Sequence, residues 1–221
     1  MKRGGAGGRG ARRGLRVWGL LAAACAVWLA AGVSLQAAPF GELVVLQGRA
    51  VVTRGGKPFL VKERAPVEEG DRVDTLADSK AQLLIGTKES GAEAVLASRT
   101  SVVAGQLKPD PGLKSPLALN FGALRTRVRS WSGQPFIATR AAVIGIKGTD
   151  FVTWVRRPEA AEFAGVEGLI ECVSQTNKAH VLRIGPRQWG EIVENVAPKP
   201  PVPVPDALWN TIQKDFAFPD K

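Results

Sequence analysis

The chain has 221 residues, with 30 Lys and Arg against 20 Asp and Glu and a formal charge of +10. Six of those basic residues and no acid fall within residues 1–37, so only +4 belongs to the remaining 184. A single His and two Cys, one of them within that first stretch, exclude a disulfide scaffold and argue against His/Cys metal cages or a Cys–His nucleophile. No metal and no cofactor is expected.

Lys2, Arg3, Arg9, Arg12, Arg13 and Arg16 lead into Val17–Val33, an uncharged apolar run, followed by the small residues of Ser34–Pro39. This order is that of a secretory signal, with positive charge retained on the cytoplasmic side and the apolar run partitioning into the bilayer. The expectation is a signal peptide over 1–37, cut after Ala37 or Ala38, and a periplasmic body. The apolar run also meets the lower length of a membrane span, so an uncleaved inner-membrane anchor is the alternative. Membrane contact is expected only through that anchor. Ala22–Cys25 resembles a lipoprotein box, although the apolar run continues past Cys25. Arg12-Arg13 hints at twin-arginine export, although Arg16 interrupts it.

From residue 38 to 196 the chain reads as short β segments punctuated by Gly, Pro, Asp and Ser. Expected strands are Gly41–Thr53 with a break at Gly48, Phe59–Val61, Ala81–Ile85, Ala92–Leu96 and Ser101–Ala104. Further along come Ala123–Trp131, Pro135–Ile146, Phe151–Val155, Gly168–Val173, His180–Ile184 and Gly190–Val193. The fold class is all-β, either a rolled sandwich or an irregular β-solenoid-like stack. Cys172 alternates with Ile170 and reads as a small buried apolar residue. Residues 197–205 (APKPPVPVP) are expected to form an extended polyproline linker unable to continue a sheet ladder. Residues 206–221 follow as a short helical segment whose stripe Leu208, Ile212 and Phe216 docks onto the domain itself or onto a partner.

Arg125, Arg127 and Arg129 recur every second residue, so an extended strand turns all three to one side. Such a ladder suits carboxylates or phosphates, on an acidic glycan or an envelope protein, unless it is merely a solvated outer face. Arg140, Lys147, Arg156 and Arg157 are candidates to extend the field. Nucleic acid fits poorly with an exported body of charge +4. No nucleophile elbow, phosphate loop or His-based metal pattern occurs, and carboxylate pairs such as Glu68-Glu69 or Asp71/Asp74 are commonplace. The chain therefore reads as a binding or scaffold module rather than an enzyme. The Trp residues outside the leader, Trp131, Trp154, Trp189 and Trp209, read as core filling before a carbohydrate platform.

Pro135–Phe151 (PFIATRAAVIGIKGTDF) resembles the best-marked stretch of the FecR-like family, periplasmic domains named after the iron-dicitrate regulator. The matching residues are Ala138-Thr139, Ala142-Val143, Gly145, Gly148-Thr149 and Phe151. Gly70-Asp71 and Thr75 resemble the family's Gly-Asp…Thr element, and Gly41–Val52, Gly165–Val173 and Val181–Trp189 match further elements in order. The resemblance spans about residues 41–195, with departures at Glu89-Ser90-Gly91 and Lys108–Pro116. It implies an exported β domain that senses, binds or scaffolds. The family's sigma-factor relay needs a folded cytoplasmic segment, and Met1–Arg16 is too short to supply one. Gly145 and Gly148 are expected to flank a tight passage. Asp71, Asp74, Thr149 and Asp150 are expected to organise turns.

Overall fold

The computed structural model describes residues 40–86, 91–105, 116–129 and 136–219, and the backbone alone of 146–148. The expectations for the leader, Trp131, Glu89-Ser90, the 108–115 excursion and the side chain of Lys147 fall outside these residues, as does the passage at Gly148.

The domain is all-β, closed by one C-terminal helix. In chain order the strands are β1 (Gly41–Gln47), β2 (Ala50–Arg54), β3 (Lys57–Val61), β4 (Arg64–Val67), β5 (Arg72–Thr75), β6 (Lys80–Gly86), β7 (Gly91–Leu96) and β8 (Ser101–Ala104). There follow β9 (Leu117–Val128), β10 (Ile137–Ala138), β11 (Ala142–Arg157), β12 (Ala160–Ser174), β13 (Val181–Ile184), β14 (Gln188–Val193) and β15 (Val202–Pro203), then α1 (Asp206–Asp215).

All 15 strands belong to one hydrogen-bonded sheet, which is doubled over on itself. Three long strands make this doubling. The first part of β9 pairs with β8 and β10, and its last part with β7 and β11. The first part of β11 and the last part of β12 pair with each other and flank β10 and β13. Their remaining halves pair with each other and flank β9 and β14. Two layers result, one running β4-β1-β6-β7-β9-β11-β12-β14-β15 and the other β3-β2-β5-β8-β9-β10-β11-β12-β13. Leu43, Leu83, Leu124, Phe151 and Phe163 from the first meet Val52, Leu119, Ile144, Ile170 and Cys172 from the second in a single core. Each such side chain contributes about 1.5–3 kcal/mol by leaving water.

The strands change layer where the backbone can turn sharply. Gly122 within β9 has φ of 96° and Gly168 within β12 has φ of 75°. In β11 the register slips between Lys147 and Asp150. The sequence places strand starts just after Gly122 and at Gly168, offers no strand over 117–121 or 160–167, and parts Pro135–Ile146 from Phe151–Val155. The structure instead runs 12, 16 and 15 residues through these points, because a glycine inside a strand supplies the bend and leaves the ladder intact on either side. Gly55 and Gly56 do end a strand. Both have positive φ, as the two-residue turn between β2 and β3 requires.

The proline-rich segment departs from expectation in one place. Val202 and Pro203 pair with Trp189 and Gln188 as a two-residue strand. An edge position tolerates this, because the missing N–H faces away from the ladder.

Candidate functional site

On the outer face of the first layer, alternation along β9 turns Ala123, Arg125 and Arg127 outward, with Arg129 one residue past the strand end. Cross-strand register sets Glu93 of β7 opposite Arg127, and Arg127 opposite Asp150 of β11. The row is thus acid, base, acid, with Arg125 and Arg129 on either side. Arg125 donates from Nε to Asp150 Oδ1 at 2.7 Å and from Nη2 to Oδ2 at 2.8 Å, with both side chains buried. Arg127 Nε reaches the same carboxylate at 3.3 Å. Arg129 Nη2 donates to Glu93 Oε1 at 2.9 Å, and Gln82 Nε2 donates to Oε2 at 2.8 Å.

The three arginines therefore share a face but not a role. Arg125 is 5% exposed and locked in a two-pronged ion pair, so it does not present its guanidinium outward as a surface ladder would. Arg127 and Arg129 keep 39% and 36% of their side-chain surface. Arg156 is paired with Glu162, Arg157 with Glu191 and Arg140 with Glu194. None of those three lines the groove described next.

That groove is made by the C-terminal arm. Ile212 and Phe216 of the arm, with Val204, bury against Ala123, Val152, Trp154 and Ala164, and half-buried Leu208, Trp209 and Trp189 complete a second small core. Phe216 meets Trp154 edge to face at 6.3 Å. Arg187 lies over the Trp209 ring at 4.7 Å and pairs with Asp206 at 3.0 Å, at the positive end of the helix dipole. Desolvation of half-buried Lys80 lowers its pKa, and Asp215 in the last turn of α1 counters the shift. Beyond the helix, Phe218 stacks under Arg127 at 4.0 Å and Arg125 at 5.2 Å. A shallow groove of about 370 Å³ opens there, lined by Glu93, Arg125, Arg127, Arg129, Gln213 and Phe218. Docking of the helix, rather than a carbohydrate platform, is what occupies Trp154. Sequence alternation found the arginines but not their carboxylates, and it gave no hint of Phe218.

The residues carrying the family resemblance divide between turns and core. Gly70 has φ of 88°. Asp71 is buried and accepts the Glu68 N–H at 2.9 Å, as a turn organiser should. It also binds Arg54 through Nε and Nη2, and this hydrogen bonding raises the pKa of Arg54. Thr75 Oγ1 donates to Ala97 O at 2.5 Å and accepts the Thr100 N–H at 2.8 Å, stitching β5 to the turn before β8. Phe151 is fully buried in the main core.

Thr149 and Asp150 correct the expectation that they organise a turn. Both lie inside β11, the Thr149 hydroxyl is buried without a partner, and Asp150 serves the arginines. Gly145 also departs from expectation. A Cβ there would stand 3.7 Å from Glu171 O, an ordinary contact, so no tight passage requires the glycine.

Cys172 is fully buried, and desolvation pushes its thiol pKa well up, with the Glu171 carboxylate adding to the effect. Of the other carboxylates considered for chemistry, Glu68 pairs with Arg54 and Asp74 with Arg72, while Glu69 is exposed. Among the described residues no group of three His, Cys, Asp or Glu is placed to hold a metal ion.

No family model matches the chain, and no curated protein does. Similar solved structures include two crystal structures of a "putative anti-sigma factor" from Parabacteroides distasonis. Each is 14% identical, with TM-scores of 0.45 and 0.46, and the match covers 63% of this chain. It spans 64% of the length of that protein, short of two thirds.

Proposed function

We propose that this chain is an exported, FecR-like, non-enzymatic module that binds an acidic partner in the bacterial envelope, a protein surface or a glycan. One observation carries the reading. Arg127 and Arg129 stand half-exposed on a rigid sheet beside Phe218, and the neighbouring carboxylates hold them in place. Guanidinium groups fixed in this way lose little entropy on meeting a carboxylate or phosphate. Arg125 acts beneath them as the strut that keeps Asp150 in register. The basic leader and the ordered motif elements from Gly41 to Trp189 support export and the family.

The test of binding is a pull-down from envelope extract with wild type and an Arg127→Ser/Arg129→Ser variant, Arg125 being left intact because its loss would disturb the sheet. Loss of a captured partner from the variant is expected, and equal recovery from both removes the arginine groove from the function. For export, epitope-tagged protein should fractionate to the periplasm trimmed near Ala37. Full-length protein in the cytosol would overturn that part.

A further inference from the structure

An open sheet leaves strand edges whose unpaired N–H and C=O groups invite another strand, and proteins blunt such edges with proline, charge or brevity. Among the described residues four strands pair on one side only: β3, β4, β13 and β15. Three of them carry a proline, namely Pro58, Pro66 and Pro203. The Pro66 carbonyl is further occupied by Arg54 Nη2 at 3.0 Å. Only β13, with the sequence VLRI, has none.

The geometry beside β13 is that of a slot. Ser174 N–H donates to His180 O at 3.0 Å, so strict alternation along this antiparallel pair turns Leu182 and Ile184 toward β12. The backbone groups of Val181 and Arg183 then face away from the sheet. An open trough of about 400 Å³ adjoins Val181, Leu182 and Arg183 and is lined also by Pro198, Lys199, Pro200 and Pro201. Val181 is 38% exposed and ends an apolar row on the outer face of the second layer, Val103-Ala118-Ala138-Val143-Val173-Val181. In the neighbouring row Arg183 pairs with Glu171 while remaining largely in solvent.

We infer that β13 accepts an extended peptide strand from a partner protein, added at its open edge and seated in the trough. Register fixes the chemistry of that strand. The residue opposite Val181 continues the apolar row and should be aliphatic. The residue opposite Arg183, two positions away, should be acidic, since Arg183 and Lys199 both present positive charge there. This surface lies on the second layer and does not involve Arg127 or Arg129.

The probe is the pentapeptide Ac-Thr-Glu-Thr-Val-Thr-NH2, titrated into the purified full-length chain labelled with nitrogen-15. Saturable shifts and slowed exchange at the Val181 and Arg183 amides are expected, with at least fivefold weaker binding when the peptide Glu is replaced by Lys. N-methylating the amides of the peptide's Glu and Val should abolish binding without touching the protein's fold. Arg183→Pro should weaken binding at least tenfold, while Arg183→Ser, which keeps the N–H, should weaken it less. Unperturbed Val181 and Arg183 amides, or equal binding of the N-methylated peptide, overturn the proposal. So does protection of these amides in the protein alone that vanishes on dilution, because the occupant is then a second copy. Retention of peptide binding by Arg127→Ser/Arg129→Ser separates this site from the arginine groove.

Discussion

Arg125→Met strips the cation from a carboxylate that has almost no access to water. The Asp150 side chain is 4% exposed, and without Arg125 it keeps only Arg127 Nε at 3.3 Å, from a side chain itself 39% exposed. Removing one partner of a buried pair costs about 3–5 kcal/mol, chiefly because the other charge stays desolvated. In a domain of this size 1 kcal/mol corresponds to about 2–4 °C, so the melting temperature should fall by about 6–20 °C. Asp150→Leu should lose a comparable amount by stranding Arg125. The double variant Arg125→Met/Asp150→Leu leaves neither charge behind and should lie within about 1 kcal/mol of wild type. Urea unfolding of all four proteins, followed by circular dichroism, closes the cycle. If either single variant costs less than about 1 kcal/mol, or if the double variant costs the sum of the two, the pair is not a strut of the sheet.

Gly122→Ala forces a side chain onto a backbone at φ 96° and sets its Cβ 2.6 Å from Thr100 Cα. The conformation alone costs about 1–3 kcal/mol, and parting the seam between β8 and β9 adds to it, so thermal melts should show a marked loss. Cys172 gives a pH signature. Its thiol keeps its proton in the folded state above about pH 8.5, where an unfolded thiol gives it up. The folded chain then binds more protons, so stability is full below that pH and falls as pH rises toward the folded pKa, by at most about 1.4 kcal/mol per unit. Urea midpoints between pH 7 and 10 should flatten in Cys172→Ala, and an unchanged slope would dismiss the thiol as its source. Ile212→Ala removes the buried centre of the arm at a cost of about 2–5 kcal/mol. Limited proteolysis within 197–205 should accelerate while amide protection of the main core persists, and equal loss of both would mean that arm and core unfold together.

The β class, the terminal helix and the burial of Cys172 follow from period-two and period-four patterns, which are local. The doubling of the sheet is not local. Gly122 and Gly168 stand where the expected strands begin, because a glycine weakens a strand wherever it sits, and nothing in the neighbouring residues tells a bend from an end. The answer lies in the partners. Leu117 to Val128 remains one strand because β8 and β10 hold its beginning and β7 and β11 hold its end. Likewise Val202 and Pro203 join the ladder only because β14 lies at the edge to receive them.

The candidate site repeats this division at the level of side chains. Alternation states that Arg125, Arg127 and Arg129 face one way, and they do, but it cannot state what lies across the strand. Glu93 is 34 positions before Arg127 and Asp150 is 23 after it, and only register sets them in one row. That row decides the fate of each arginine. Arg125 is covered and pairs fully with Asp150, while Arg127 and Arg129 remain half-exposed along the same groove. A run of charges at spacing two therefore specifies a face, and the burial gradient across that face specifies which member supports the sheet and which remains able to meet a partner.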